Sequence, residues 1–101
     1  IIIPCFNSGS TILETIKSVK KQSWENIEII VVDDGSNEKN TIRILNKIKD
    51  IKLIRQNNLG LPSARNAGIR KSKGKYILPL DADDTLHPDA LKSMHDIIKK
   101  K

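Results

Sequence analysis

Residues 27–36 are IEIIVVDDGS, an apolar run that ends abruptly in two acids, a glycine and a serine. Every residue from Ile27 to Val32 except Glu28 is apolar and β-branched, which is typical of a strand buried on both faces. The polar residues that follow, Asp33-Asp34-Gly35-Ser36, indicate a turn with Asx hydrogen bonds and with a positive φ at the glycine. The stretch therefore predicts a buried strand whose carboxyl end carries polar side chains.

Strands and helices alternate along the rest of the chain. The other predicted strands are Ile1–Ile3, Ile51–Ile54 and Tyr76–Leu80. The predicted helices are Thr11–Lys21, about Glu38–Lys49, Pro62–Lys73, and a last helix that begins at Pro88. Thr11 and Glu14 predict a capping box at the first helix, and Gly74 predicts the C-cap of the third. Because alternation forces parallel pairing with right-handed crossovers, we expect an α/β fold with a mostly parallel, Rossmann-like sheet between two layers of helices.

The length of 101 residues fits one small domain that covers the whole chain. Hydrophobic residues at 38% and charged residues at 30% exclude collagen-like and disordered classes. The single cysteine, Cys5, excludes an intramolecular disulfide, and it is predicted to be a packing residue because no histidine or helix N-terminus lies near it in sequence. Because the chain opens on Ile1 inside a predicted strand, without a Met, we expect a piece of a longer protein.

The net charge of +6 allows two interpretations, an attraction to phosphates or nucleic acid and a lysine-rich solvated surface. The lysines are scattered along the sequence and form no single stripe. The three aromatic residues, Phe6, Trp24 and Tyr76, are too few and too separated for a base-stacking platform. The pattern favours a solvated surface and leaves a basic nucleic-acid-binding module as an alternative.

Polar clusters follow three of the predicted strands, at Asn7, at Asp33-Asp34 and at residues 81–84. Loops that follow parallel strands emerge on one edge of the sheet, and ligands bind there where the strand order reverses. We therefore expect these three clusters to form one binding site.

The motif Asp81-Ala82-Asp83 is the most specific of the three clusters. In an extended segment, residues two apart point to the same side, so both carboxylates would face one point. With Asp84, the cluster has three carboxylates within four residues, a density of hard oxygen ligands that suits Mg²⁺ or Mn²⁺. The alternative is that Asp83 and Asp84 cap the following turn and that Asp81 is a solvated strand end.

Three further candidates each have a structural alternative. The pair Asp33-Asp34 could accept the imide N–H of a uracil, with Gly35 letting a ligand approach the backbone, or could form only a turn. Phe6 could stack on a base or fill the core. Arg65, predicted in the first turn of the third helix, could hold a diphosphate together with backbone N–H groups, or could be a surface arginine.

Five ordered motifs across essentially the whole chain resemble the opening of glycosyltransferase family 2, which has the GT-A fold. The motifs are Ile1–Asn7, Ser18–Ser23, Glu28–Ser36, Asn58–Asn66 and Gly74–Asp84. One departure is Cys5, where the family usually has Thr or Ser. The resemblance implies that residues 1–101 are the N-terminal donor-binding half of such an enzyme, with the strand order 3-2-1-4.

The resemblance also implies a set of site residues. Those expected around the donor nucleotide are Pro4, Phe6, Asn7, Asp33, Asp34, Arg65 and Asp81. Within this set, Asp33 would contact the base and Arg65 would lie near the nucleotide. Asp83, the acid that the family uses as its metal ligand, would hold Mn²⁺ or Mg²⁺ together with Asp81.

The reaction that the resemblance implies is the inverting transfer of a sugar from a nucleotide-diphospho-sugar, by family habit a UDP-sugar. The acceptor would be a hydroxyl of a glycan, a polysaccharide or a lipid-linked saccharide, and no nucleic acid is expected as a partner. The catalytic base is expected beyond Lys101, so no acid in this chain is assigned that role. The enzyme is expected in the cytoplasm or at the inner face of the cell membrane, with any membrane attachment through segments outside this chain.

A second enzyme class, the sugar-1-phosphate nucleotidyltransferases, shares the layered α/β design. It would carry a glycine-rich phosphate loop after the first strand, whereas residues 4–9 here contain one glycine. The basic nucleic-acid-binding module would bind with steep salt dependence and would need no divalent cation.

Overall fold

Strands and helices alternate along the chain as far as the third helix, and the last two helices follow each other with no strand between them in the described residues. The computed structural model describes residues 1–24 and 26–99. The strands are β1 (Ile2–Cys5), β2 (Ile30–Asp34) and β3 (Lys52–Gln56). The helices are α1 (Ile12–Lys20), α2 (Lys39–Lys47), α3 (Leu61–Lys71) and α4 (Ala90–Lys99). None of the helices in the described residues is both long enough and apolar enough to cross a membrane.

The three strands form one parallel sheet in the order β1-β2-β3. Ile30, the first residue of β2, lies opposite Ile2 on one side and Lys52 on the other. The predicted strand at Ile27 thus begins three residues too early, because β1 offers its first ladder partner only at Ile2. The α/β fold with a parallel sheet is confirmed.

The predicted fourth strand, Tyr76–Leu80, is not a strand in the structure. Its residues form one isolated parallel bridge, between Pro79 and Ile2. The Ile2 N–H donates to the Leu78 carbonyl at 3.0 Å, and the Leu80 N–H donates to the Ile2 carbonyl at 2.8 Å. The N–H and carbonyl of Ile2 both face this segment, and the next residue of β1 that faces it, Pro4, has no N–H with which to extend the ladder. The order 3-2-1-4 is therefore not confirmed, although residues 78–80 do run beside β1.

Alternation along the strands divides the apolar side chains between two faces of the sheet. On one face, Ile3 and Val31 pack with side chains of α1 and α2. On the other face, Ile2, Ile30 and Val32 pack with small residues of α3. The sheet thus lies between helices, as the buried run in β2 predicts.

The third helix lies close to the sheet because it presents small residues to it. Ala64, Ala67 and Gly68 are its buried positions. A Cβ added at Gly68 would lie 2.5 Å from the Cγ2 atom of Ile2, so this position has no room for a side chain. The close packing that the sequence suggested for these residues is confirmed.

Two predicted helix caps are wrong. Thr11 is the N-cap residue of α1, but its hydroxyl makes no capping hydrogen bond and donates instead to the Ala82 carbonyl at 2.8 Å. The third helix ends at Ser72, before Gly74, because the Ser72 N–H and hydroxyl both donate to the Ile69 carbonyl, at 3.1 and 2.8 Å. Thr11 thus serves a distant carbonyl and not the first turn of its own helix, and Ser72 closes the last turn of α3 before the glycine is reached.

Candidate functional site

A cleft of about 590 Å³ lies at the carboxyl ends of β1 and β2, next to the start of α3. The predicted site residues that line it are Pro4, Phe6, Asp34, Arg65, Asp81 and Asp83. Two predicted site residues, Asn7 and Asp33, do not belong to this lining. The strand-end loops therefore converge as the parallel topology predicts. Only some of the predicted site residues, however, line the cleft that these loops form.

The acidic loop at residues 81–84 forms one wall of the cleft. The Asp84 N–H donates to the Asp81 carbonyl at 3.0 Å, so the segment is a tight turn where an extended strand end was predicted. Ala82 points into the core and is 6% exposed. One carboxylate oxygen from each of Asp81, Asp83 and Asp84 lies within 4.8 Å of the others, and all three residues are exposed. The carboxylates thus converge as predicted, through a turn.

This donor set fits a divalent cation of the hard class. Three carboxylates at this separation repel one another unless a positive charge lies between them, and carboxylate oxygens are the ligands that Mg²⁺ and Mn²⁺ take. No hydrogen bond in the described part of the chain uses the Asp83 or Asp84 carboxylates, so the capping alternative is not what these side chains do. The exposed Asp83 carboxylate, which lines the cleft, is thus available to a ligand.

Arg65 supplies the one arginine in the lining of the cleft. It is the fifth residue of α3, one residue further from the helix start than predicted. Its Nη2 atom lies 3.5 Å from Oδ1 of Asp81, with both side chains partly exposed. An exposed ion pair of this kind adds little to the stability of the fold. The positive charge that Arg65 places in the cleft is therefore its more important contribution.

Asp34 is a buried carboxylate that is fully engaged by the loop before α3. Its Oδ1 accepts hydrogen bonds from Gln56 Nε2 at 2.7 Å and from the Leu59 N–H at 2.9 Å. Its Oδ2 accepts one from the Gly60 N–H at 3.0 Å. Burial alone would raise the pKa of Asp34, but the hydrogen bonds from Leu59, Gln56 and Gly60 outweigh it and lower the pKa. Asp34 therefore carries a fixed negative charge beside the cleft.

Gly35 serves the fold in a way that differs from the prediction. Its φ is +74°, as the predicted turn requires. A Cβ at this position would lie 2.6 Å from the backbone nitrogen of Asn58. The close approach that glycine permits is thus made by the Asn58 backbone, and the approach of a ligand to Gly35 stays a prediction.

Asp33 points to the opposite face of the sheet from Asp34, because neighbouring residues of a strand alternate. It is 3% exposed. Its Oδ1 accepts the Ser36 N–H at 3.0 Å, and its Oδ2 lies 3.7 Å from Nε of Arg55. The turn predicted here is confirmed, and the contact of Asp33 with a base stays a prediction.

Asn7 joins the loop after β1 to the start of α2. Its φ is +52°, and its Oδ1 accepts hydrogen bonds from the Asn37 and Glu38 N–H groups, both at 3.0 Å. Its own N–H donates to the Ser36 hydroxyl at 2.9 Å. The side chain thus supplies acceptors at the N-terminus of α2 from a distant part of the sequence. Its predicted place beside the nucleoside stays a prediction.

The structure shows whether Phe6 and Cys5 are exposed or buried. Phe6 is 40% exposed on the cleft wall, so the core-filling alternative is wrong. Cys5 is fully buried, and burial raises the pKa of its thiol, so the prediction of a packing residue is confirmed. The sequence reasoning missed the part that the loop after β3 plays in the cleft; the residues concerned are Asn58, Gly60 and Leu61. The sequence feature that indicates this role is that the loop, like the other two, follows a parallel strand.

Residues 1–101 match the sequence model of a family described as Glycosyl transferase family 2. The chain belongs to that family. Over 87 residues it is 45% identical to the UDP-Glc:alpha-D-GlcNAc-diphosphoundecaprenol beta-1,3-glucosyltransferase WfaP of Escherichia coli, with 83% of this chain and 34% of WfaP covered. Over 106 residues it is 34% identical to the poly(ribitol-phosphate) beta-N-acetylglucosaminyltransferase TarP of Staphylococcus aureus strain N315, with 99% and 32% covered.

The same architecture occurs in solved structures of S. aureus TarS. The complex of TarS 1-349 with UDP superposes with a TM-score of 0.87 at 30% identity, over 98% of this family 2 chain and 31% of TarS 1-349. The complex with UDP-GlcNAc gives a TM-score of 0.83 at 29% identity, over 98% and 30%. The GT-A fold is thereby confirmed. The chain spans about a third of the length of WfaP, TarP and TarS 1-349.

Proposed function

We propose that this chain is the donor-binding part of a glycosyltransferase that moves a sugar from a UDP-sugar to a hydroxyl of a lipid-linked or polymeric glycan. The observation that carries the proposal is the cleft that gathers Asp34, Arg65, Asp81 and Asp83 at the carboxyl edge of the sheet. The names of WfaP and TarP, and the TarS complexes with UDP and UDP-GlcNAc, support the donor and acceptor classes.

The nucleoside end of the donor would lie against β1. Phe6 is 40% exposed on this wall and offers a ring face on which a base can stack. Pro4, in the same wall, adds rigid apolar surface. The negative charge of Asp34 at the floor favours hydroxyl and N–H groups over phosphate, so the diphosphate would lie at the other end of the cleft.

The diphosphate end would lie against the acidic loop and α3. Asp81 and Asp83 would hold Mn²⁺ or Mg²⁺, with Asp84 close enough to contribute. When bound, the cation supplies Lewis-acid neutralisation of the charge that develops on the departing diphosphate. Arg65, 3.5 Å from Asp81, adds a second positive charge on the same side. These side chains bind and orient the donor and attack nothing themselves.

The transfer itself would be a single displacement with inversion. The acceptor oxygen forms a bond to the anomeric carbon while the bond from that carbon to the diphosphate oxygen breaks, and the nucleoside diphosphate leaves with the electron pair. The proton of the acceptor hydroxyl goes to a general base. That base lies in a part of the enzyme outside this chain. The enzyme acts in the cytoplasm at the inner face of the membrane, where a lipid-linked acceptor such as that named for WfaP would meet a nucleotide-sugar.

Calorimetric titration tests the proposal directly. UDP is titrated into the protein with Mn²⁺ and then with EDTA, beside the variants Asp83→Asn and Asp96→Asn. Asp96 is an exposed acid of α4 and serves as a matched change of charge outside the cleft. We expect binding that needs Mn²⁺, is lost in Asp83→Asn and is kept in Asp96→Asn. A folded protein that binds none of UDP, GDP, CDP or dTDP would overturn the donor site, and salt-sensitive binding of nucleic acid would then favour the basic module.

A further inference from the structure

The backbone carbonyl between the two cation-facing acids is held by a pair of threonines. The Ala82 oxygen accepts hydrogen bonds from Thr11 Oγ1 at 2.8 Å and from Thr15 Oγ1 at 2.9 Å. Each hydroxyl has a single proton, and the alternative acceptors are further away, the Ser8 carbonyl at 3.3 Å and the Thr11 carbonyl at 3.4 Å. Both protons therefore go to Ala82, and both lone pairs of its oxygen are used.

These threonines belong to a polar stripe along one face of α1. The stripe consists of Thr11, Thr15, Ser18 and Gln22, at intervals of 4, 3 and 4 residues that repeat once per helical turn. Ser18 Oγ accepts the Leu86 N–H at 3.0 Å. Gln22 accepts the Leu91 N–H at 3.0 Å and donates to the His87 carbonyl at 2.9 Å. Every member of the stripe thus contacts the segment from residue 82 to residue 91.

The hydroxyl at the centre of this stripe serves the acidic loop and not the packing of its own helix. Thr15 is 1% exposed and lies beside Ile12, Ile16 and Val19, the residues of α1 that enter the core. At such a position, valine has nearly the same shape and no polar atom to satisfy. The hydroxyl has a use because it fixes the peptide plane that follows Ala82. That plane sets the direction in which the Cα of Asp83 presents its carboxylate.

We propose that Thr11 and Thr15 are positioning residues that hold Asp81 and Asp83 in the geometry that a divalent cation requires. The inference rests on the proposed function, since it assigns these residues to the cation of the donor site. The repulsion among three carboxylates within 4.8 Å favours a splayed loop. Two hydrogen bonds to Ala82, together with the turn closed by Asp84, oppose that splaying before any ligand arrives. The threonines touch neither cation nor donor.

The test is Mn²⁺ affinity, measured by electron paramagnetic resonance on the intact protein without nucleotide or sugar. The variants are Thr11→Val, Thr15→Val and the double variant, with Thr15→Ser as the conservative replacement that keeps the hydroxyl. Thr41→Val is the matched control. Thr41 is equally buried, and its hydroxyl accepts the Gly9 N–H at 3.0 Å, but it belongs to α2 and does not contact the acidic loop.

We expect each valine variant to bind Mn²⁺ about fivefold more weakly and the double variant about 20-fold more weakly, because each lost hydrogen bond releases the loop. Thr15→Ser should restore most of the affinity, and Thr41→Val should leave it unchanged although it destabilises the fold. In the metal-free protein, hydrogen exchange at the Asp84 amide should become faster in Thr15→Val and not in Thr41→Val.

The outcomes separate this inference from the proposed function. Equal Mn²⁺ affinity in wild type and the double variant would overturn the positioning role and leave the donor site intact. Loss of affinity in Thr41→Val to the same degree would also overturn it, since general destabilisation would then explain the effect. If wild type binds UDP but no Mn²⁺ or Mg²⁺, the cation and this inference both fail while the nucleotide site stands.

Discussion

Asp34→Asn perturbs the most heavily engaged carboxylate of the site. An asparagine places one oxygen and one NH₂ group where Asp34 has two oxygens. If the oxygen keeps Gln56 and Leu59, the NH₂ group faces the Gly60 N–H, which currently donates to Oδ2 at 3.0 Å. Leaving that buried donor unpaired costs about 1–3 kcal/mol, and the two remaining hydrogen bonds lose their charge assistance. We expect the free energy of unfolding to fall by about 3 kcal/mol in total.

The measurement is urea unfolding followed by circular dichroism, with Asp33→Asn as the matched control. Asp33 is equally buried, but it accepts one hydrogen bond, from Ser36, which an asparagine oxygen can keep, and its ion pair with the half-exposed Arg55 contributes little. The control should therefore lose about 1 kcal/mol or less. Equal losses in the two variants, or a loss below 1 kcal/mol in Asp34→Asn, would refute the reasoning.

The pH dependence gives this prediction a second readout. The pKa of Asp34 is lowered in the folded protein, so the unfolded chain binds a proton more readily than the native one. The contribution of Asp34 to stability is therefore fully present above the pKa of the unfolded chain and is lost as the pH falls through the folded pKa. Wild type should lose stability in that acidic range, and Asp34→Asn should lose less. An identical acid dependence in both proteins would contradict the assignment.

Two further perturbations test the packing of the sheet. In Gly68→Ala, the new Cβ meets Ile2 Cγ2 at 2.5 Å, so urea unfolding should show a loss of about 1–3 kcal/mol despite the better helix propensity of alanine. Asn66→Ala on the exposed face of the same helix is the control, and a stable Gly68→Ala would show that α3 can move. For Cys5, which is fully buried and whose thiol pKa is raised by burial, Ellman's reagent should react only as fast as the protein unfolds, and rapid labelling without denaturant would contradict that burial.

Much of the local structure follows from short-range patterns in the sequence. The run Ile27–Val32 predicts a strand covered on both faces, and the structure buries residues 29–32 and leaves Ile27 and Glu28 half-buried. The turn at Asp33 with its glycine at positive φ is likewise a local matter, since it depends on the backbone freedom of Gly35 and on one Asx hydrogen bond. The predicted fourth strand is wrong because its ladder stops after one bridge, since Pro4, the next residue of β1 that faces this segment, has no N–H.

The sequence also brought the right loops together, because parallel strands place all their carboxyl ends on one edge. It could not say which of two adjacent aspartates faces the cleft. Asp34 lies on the face that α3 covers, together with Val32, whereas Asp33 shares its face with Val31. The alternation is local, but which helix covers which face depends on how the crossovers pack.

The order of elements from β1 to α3 and the burial of β2 follow from local patterns, because they depend on neighbours a few residues apart. The parallel pairing that this order requires then places the strand-end loops at one edge. The role of Thr11, by contrast, depends on the packing of distant segments. Its spacing to Glu14 predicts a local cap, yet its hydroxyl donates to the carbonyl of Ala82, 71 residues away. A hydroxyl has one proton to give, and the fold brings it an acceptor in the acidic loop that no local pattern could reveal.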